Sequence, residues 1–432
     1  MTPRRPAGSG IRWRILALLV AASFVGYVLR SNMSVAGERM MDDLGLSQVQ
    51  LGLILASFAW GYTIFQLPGG VLGDRLGGRK ALGLIVVAWG VLNMLTGVVP
   101  ATATDPALVM ASLLVLRFLM GIAQAPLFPI VGGQAIARWF PPTGWAFPNS
   151  VTNAGLTFGS AATGPIIAWL VLRVGWRLSF VVTGPVAFLM AAAWWWYSRD
   201  RPDEHSGVSP EELTVINLDR SPRDGPLAQT GAWWPVLTDR NVLLLTASYF
   251  LNNYIFFFFF NWLYVYLVDV RGFTVLHGGA MAAAPWIAGA IGATLGGVLC
   301  DRLTRRFGLR IGPRAVAMTG LVLASAFIIA AGMASNPNSA VVLLSLCLAS
   351  QQATDSVYWA VCTTVGGRYA AAECGVMNTG GNAVGGIGAL MVPYTARAFG
   401  WPVALGTASL FGVLGAALWV WVQADRRSAA LS

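Results

Sequence analysis

Apolar residues run through this chain in long blocks, not in the alternating or 3.6-residue patterns of a soluble domain. Twelve such blocks lie at about 13–37, 48–72, 81–99, 107–137, 146–171, 177–198, 241–268, 276–300, 314–334, 338–366, 372–396 and 402–424. An α-helix needs roughly 20 apolar residues to cross the hydrocarbon core, and each block is near or above that length. The expected fold class is an all-α membrane protein with twelve transmembrane helices. Gly121, Pro126, Pro129, Gly164 and Pro165 interrupt several blocks. Membrane helices tolerate such breaks where neighbours satisfy the freed backbone groups. The first block continues through Arg30 into Ser34, Val35 and Ala36 with no clear cleavage site, so it reads as a retained helix and not a signal peptide.

The polar gaps set the topology. Gaps on the amino-terminal side hold 21 Arg and Lys residues against 5 on the other side, with Arg30 and Arg117 left inside helices. Basic residues accumulate in cytoplasmic loops, so both termini are expected in the cytoplasm and the chain in an inner (plasma) membrane. One gap is longer than the rest. Residues 199–240 carry Arg, Asp, Glu, Pro and Gly and divide the chain into six helices and six. The expected domains are an N-terminal bundle, 1–198, a cytoplasmic linker, 199–240, and a C-terminal bundle, 241–432. Within the linker, Pro210-Glu211-Glu212-Leu213 is expected to start a short interfacial helix.

Composition narrows the function. Of 432 residues, 56% are hydrophobic and 11% charged, with a mean hydropathy of +0.64. Soluble domains carry about 25% charged residues, so the lipid bilayer is the natural solvent. The net charge of +10 sits in short gaps between apolar runs, which makes it a topology signal and gives no reason to expect nucleic acid as a partner. Cys300, Cys347, Cys362 and Cys374 lack CxxC spacing and read as small buried hydrophobes, with no metal or redox role. His205 and His277 lie away from helix centres, a poor place for a proton carrier. No hydrolase elbow, zinc motif or phosphate-cradling loop is present, so neither an enzyme nor an ATP-driven pump is expected, and no cofactor.

The chain also repeats itself. Gly70-Val71-Leu72-Gly73-Asp74-Arg75-Leu76 returns as Gly297-Val298-Leu299-Cys300-Asp301-Arg302-Leu303, and Gln124-Ala125 as Gln352-Ala353. Asn149 with Asn153-Ala154 returns as Asn378 with Asn382-Ala383, and Gly175-Trp176 as Gly400-Trp401. Four matches at nearly one offset indicate two pseudo-symmetric six-helix halves. The segment from Gly70 to Lys80, GVLGDRLGGRK, resembles the loop signature of the major facilitator superfamily between its second and third helices. The resemblance implies a cytoplasmic gate latched by Asp74 with Arg75 and Arg79, Arg138 as a candidate partner, and Asp301 with Arg302 as the second copy.

Three charges lie deep inside helices: Arg30, Arg117 and Asp355. A charge at membrane depth costs several kcal/mol unless it faces a cavity or a partner, which makes these three functional candidates. Arg30-Ser31-Asn32-Met33-Ser34-Val35-Ala36 resembles the first helix of the superfamily's anion:cation symporter branch, whose members include sugar-acid carriers. There the arginine binds the substrate carboxylate, a task that suits a planar, permanently charged fork of donors. The stretch from Arg117 through Gln124-Ala125-Pro126 to Pro129 resembles that branch's fourth helix. The branch places acids where this chain has Leu29 and Gln124, so its usual proton route is absent here.

Asp355 shares a helix face with Gln351 and Tyr358. Two readings stand for it: a proton-coupling carboxylate, or a structural partner of a deep arginine. Tyr27, Asn32, Tyr62, Gln66, Tyr249, Asn252, Asn253, Asn261, Gln352 and Asn382 are candidate hydroxyl-binding groups, although intramembrane Asn and Gln more often join helices. The aromatic run Phe256 to Phe260 is expected to pack against lipid or core.

The expected function is secondary active transport of a small organic anion, a sugar acid or other monocarboxylate, by alternating access. Its partners would be that anion and H+ or another coupling ion, and the protein is expected to be a monomer. An organophosphate antiporter would also use paired arginines, and a transporter-like ligand sensor would keep the site while losing the coupling acids. A drug exporter would favour acids in the cavity.

Overall fold

A computed structural model describes residues 9–99, 105–141, 146–217, 237–366 and 370–426. Twelve long helices account for almost all of the described residues. These are α1 (Ile11–Leu44), α2 (Gln48–Leu76), α3 (Gly78–Gly97), α4 (Pro106–Gln124), α5 (146–174), α6 (176–197), α7 (Arg240–Asn261), α8 (275–307), α9 (309–333), α10 (Pro337–Gly366), α11 (Ala370–Phe399) and α12 (Trp401–Leu418). Helix α4 continues past Pro126 as a π-helical stretch, Pro129–Ile136. The two prolines there remove intrahelical donors, and a widened turn accommodates the loss.

Four glycines make the tight corners between helices. Gly77, Gly175, Gly308 and Gly400 have φ of 78, 80, 82 and 86° with ψ of 156, 164, 170 and 162°. Only glycine enters this region without strain. The corners join α2 to α3, α5 to α6, α8 to α9 and α11 to α12, so each falls at the same place in a unit of three helices. The two halves visible in the sequence are thus built from four three-helix units, nested as in facilitator transporters.

The halves meet along two close crossings. At α5–α8, a Cβ on Gly164 would stand 2.4 Å from the Gly279 carbonyl oxygen. At α2–α11, a Cβ on Gly52 would stand 2.5 Å from that of Ala389. Without side chains the backbones approach closely, and contact of this kind replaces the hydrophobic drive that lipid cannot supply.

The start of α1, the linker helix and the stretch after α12 gather on one face. Glu212 belongs to the linker helix Pro210–Ile216, whose own start is capped by the Ser209 hydroxyl. Its carboxylate accepts hydrogen bonds from the Ser9 hydroxyl and from the backbone N–H groups of Ile11 and Arg12, the latter two at 3.1 Å. Helix α1 begins after Gly10, which has no side chain to cap it. The linker therefore supplies the cap from 200 residues away in sequence. Ile216 is fully buried in the same cluster as Ile11, Ile15 and Trp139. On that face too, Asn241 at the start of α7 donates to the Gln423 carbonyl at 2.8 Å. On the opposite face, the Trp176 indole donates to Asp43 at 2.8 Å, and Arg271 binds Tyr266 and the Ala334 carbonyl.

Candidate functional site

Arg30 projects from α1 into the seam between the halves and is 6% exposed. Four aromatic rings surround its guanidinium carbon: Tyr27 at 5.2 Å, Phe58 at 4.8 Å, Tyr62 at 4.9 Å and Phe260 at 4.5 Å. Tyr27, Phe58 and Tyr62 come from α1 and α2, and Phe260 comes from α7 in the other half. Phe256 and Trp286 back Phe260 at centroid distances of 6.0 and 6.1 Å. A cation held by ring faces in a desolvated place gains electrostatic stabilisation without losing its charge. The hydrogen-bonding edge is less well served. Nη1 lies 3.5 Å from the Tyr27 hydroxyl, and Nε has no partner among the described residues.

Arg117 has different surroundings. It is 2% exposed, lies over the Phe180 ring at 5.3 Å, and has no hydrogen-bond partner for Nε or Nη2. Phe180 and Thr183 of α6 anchor a polar knot. Asn93 donates to the Phe180 carbonyl at 2.7 Å and to Thr183 at 2.9 Å, and Asn32 donates to Thr183 at 3.4 Å. Arg117 and Asn32 therefore sit within the N-terminal bundle beside α6, while Arg30 faces across the seam. Among the described residues neither arginine pairs with a carboxylate. Gln124 donates from Nε2 to the Gly26 carbonyl at 2.9 Å, tying α4 to α1, and Leu29 is buried in the same bundle.

Asp355 lies on α10 and is half-buried. The side chains of Tyr249 and Trp359 lie beside its carboxylate, and none of the ion pairs among the described residues includes it. The Tyr249 ring stands 5.1 Å from that of Tyr358. Tyr358 itself bonds to Ser248 and Trp419. Along α7, Tyr249 and Phe260 are about 16 Å apart at the usual helical rise, so the Asp355 group is a separate station from the Arg30 cage.

The remaining polar candidates divide by their bonds. Asn252 accepts from Thr354 at 3.1 Å, and Asn382 donates to Asn378 of its own helix. Gln66 meets Tyr62 and, across the seam, Thr379 at 3.5 Å. Gln352 is half-buried against Gly289 of α8, and Asn261 is buried. Of the gate candidates, the Asp74 side chain lies outside the described residues. Arg75, Asp301 and Arg302 are exposed. Arg138 pairs with Asp200 at 3.8 Å, and the Arg79 backbone N–H donates to the same carboxylate at 2.9 Å. Asp200 was not among the residues the sequence singled out, and neither was Phe58. Phe260 was expected only to pack, yet its ring is the nearest of the four to Arg30.

The family model of the Major Facilitator Superfamily matches residues 18–347. This chain belongs to that superfamily. Among its relatives, a probable sulfoacetate transporter of Cupriavidus necator is 32% identical over 384 residues, covering 89% of this chain and 87% of the relative. A hexuronate transporter of Bacillus subtilis is 33% identical over 351 residues, covering 80% and 79%. In three dimensions the facilitator fold here resembles a bacterial homologue of the human lysosomal transporter Spinster. That match has a TM-score of 0.78 at 18% identity and covers 95% of this chain and 97% of the other.

Proposed function

We propose that this facilitator carries a small organic anion, a sugar acid or other monocarboxylate, across the inner membrane by alternating access, with Arg30 as the anion's anchor. The observation behind this reading is a buried guanidinium whose faces are covered by rings and whose edge meets no carboxylate among the described residues. A permanent cation in such a place is stabilised most by a negative group that visits it. The sulfoacetate and hexuronate transporters among its relatives support the same class of cargo. The six-helix halves, 1–198 and 241–432, rock about the α5–α8 and α2–α11 crossings as a monomer, with the linker 199–240 and both termini in the cytoplasm. Asp74, Arg75 and Arg79 latch the cytoplasmic side, with Asp301 and Arg302 as their counterparts. Asp355, which makes no ion pair among the described residues, is the site where a coupling proton binds.

The test is Arg30→Lys in purified protein. It keeps the charge and loses the planar fork, so anion affinity should fall by about 1.5–3 kcal/mol, the range of a hydrogen bond to a charged group. Wild-type affinity in both Arg30→Lys and Arg30→Ala would leave Arg30 a structural residue.

A further inference from the structure

The neighbours of Arg30 select among organic anions. Three of the polar side chains expected to read hydroxyls, Asn32, Asn252 and Asn382, each bond within the bundles, to Thr183, Thr354 and Asn378, while Asn32 Oδ1, Asn252 Nδ2 and Gln66 Nε2 stay unpaired. What stands at the guanidinium is aromatic. Phe58 of α2 and Phe260 of α7 approach it from opposite halves, and Phe256 and Trp286 extend the Phe260 side into a wall.

The two phenols complete a head-group cradle. The Tyr27 hydroxyl lies at the hydrogen-bonding edge of Arg30 and the Tyr62 ring against its face, and both phenols can donate to the oxygens of a carboxylate bound there. Beyond the cradle, the body of the ligand meets ring faces and edges. A polyhydroxylated body would bring several hydroxyls out of water into this wall, and each unpaired one is unfavourable. A flat apolar body instead buries its surface and packs on the rings.

We infer that the preferred cargo is a monocarboxylate with a flat, largely apolar body, an aryl or similarly unsaturated acid, and that Phe58 and Phe260 set that preference. The inference rests on the reading of Arg30 as the anion's anchor.

The experiment is calorimetric binding to the full chain in nanodiscs with three probes: benzoate, glucuronate and neutral benzamide. Benzoate should bind at least tenfold more tightly than glucuronate, and benzamide should not bind over the same range. Glucuronate binding as tightly as benzoate, or more so, overturns the flat-body preference while leaving the anion reading intact. No binding by either anion, or benzamide binding as well as benzoate, removes the anchor and the preference together. Phe260→Leu keeps an apolar side chain and deletes the ring. It should weaken benzoate at least tenfold more than glucuronate, and Phe260→Tyr should retain benzoate binding. An equal loss of both ligands in Phe260→Leu would make Phe260 a packing residue and overturn its selective role.

Discussion

At the scale of single residues, charge and hydrogen-bond geometry explain most of the site. Gln124 is the most telling polar side chain. Its amide donates to the Gly26 carbonyl, and an ionised carboxylate in its place has no proton to donate. Gln124→Glu therefore keeps the α4–α1 bond only while the new carboxyl is protonated. At low pH the variant should transport like the parent. As pH rises and the group ionises, a charge faces the Gly26 carbonyl and the interhelical hydrogen bond is lost, at about 1–3 kcal/mol. Transport by Gln124→Glu in proteoliposomes should fall with rising pH more steeply than the parent's. Superimposable pH profiles would show that this bond does not matter to the cycle.

Arg30, Arg117 and Asp355 were legible in the sequence because a charge in an apolar block stands out against its background. Phe58 and Phe260 were not, because a ring in an apolar block looks the same whether it faces lipid, core or a cation. Asp200 was hidden for another reason. Its partner, the Arg79 backbone, is 121 residues away, and nothing local marks the pairing.

At the scale of elements, the linker does more than connect. Its helix was legible from Pro210-Glu211-Glu212, but its docking was not, since that depends on the uncapped start of α1. The Glu212 carboxyl is held below its ordinary value. Burial pushes it up, but the Ser9 hydroxyl, the Arg12 and Ile11 backbone N–H groups and the Arg12 charge together outweigh that. A carboxylate depressed in the folded state adds stability above its unfolded pKa of about 4.3 and loses it as pH falls through the folded value. The clasp should hold at neutral pH and loosen in acid. Glu212→Gln should lower the protection of the first amides of α1 by roughly 1 kcal/mol, the usual effect of a lost cap. Hydrogen exchange read over residues 9–16 checks this. Unchanged protection in the variant would mean that the buried Ile216 alone holds the linker in place.

At the scale of the whole molecule, the twelve-helix pattern and the two halves were legible because membrane spans need long apolar blocks and repeats keep their offset. The three-helix units were not, because their shared feature is the backbone angle of four glycines, which a chain of 50 glycines does not advertise. Alternating access then depends on which face is which. The clasp at Ser9 and Glu212 puts the start of α1 and the linker on one face, and Asn241 with Gln423 puts the start of α7 and the C-terminal tail with a linker end. Ser206 is exposed in the linker, and Ser339 is exposed at the start of α10, one span away from the tightly turned Gly308 corner. If basic residues mark the cytoplasmic side, these two serines lie on opposite sides of the membrane. In a variant without its native cysteines, Ser206→Cys should react with an impermeant maleimide only after the cells are opened. Ser339→Cys should react in intact cells. The reverse pattern would invert the topology, and with it the side on which the gate proposed at Asp74 and Asp301 lies. Labelling of both from one side would break the twelve-span count between them, since three crossings by α7, α8 and α9 put residues 206 and 339 on opposite sides and an even number would put them on the same side.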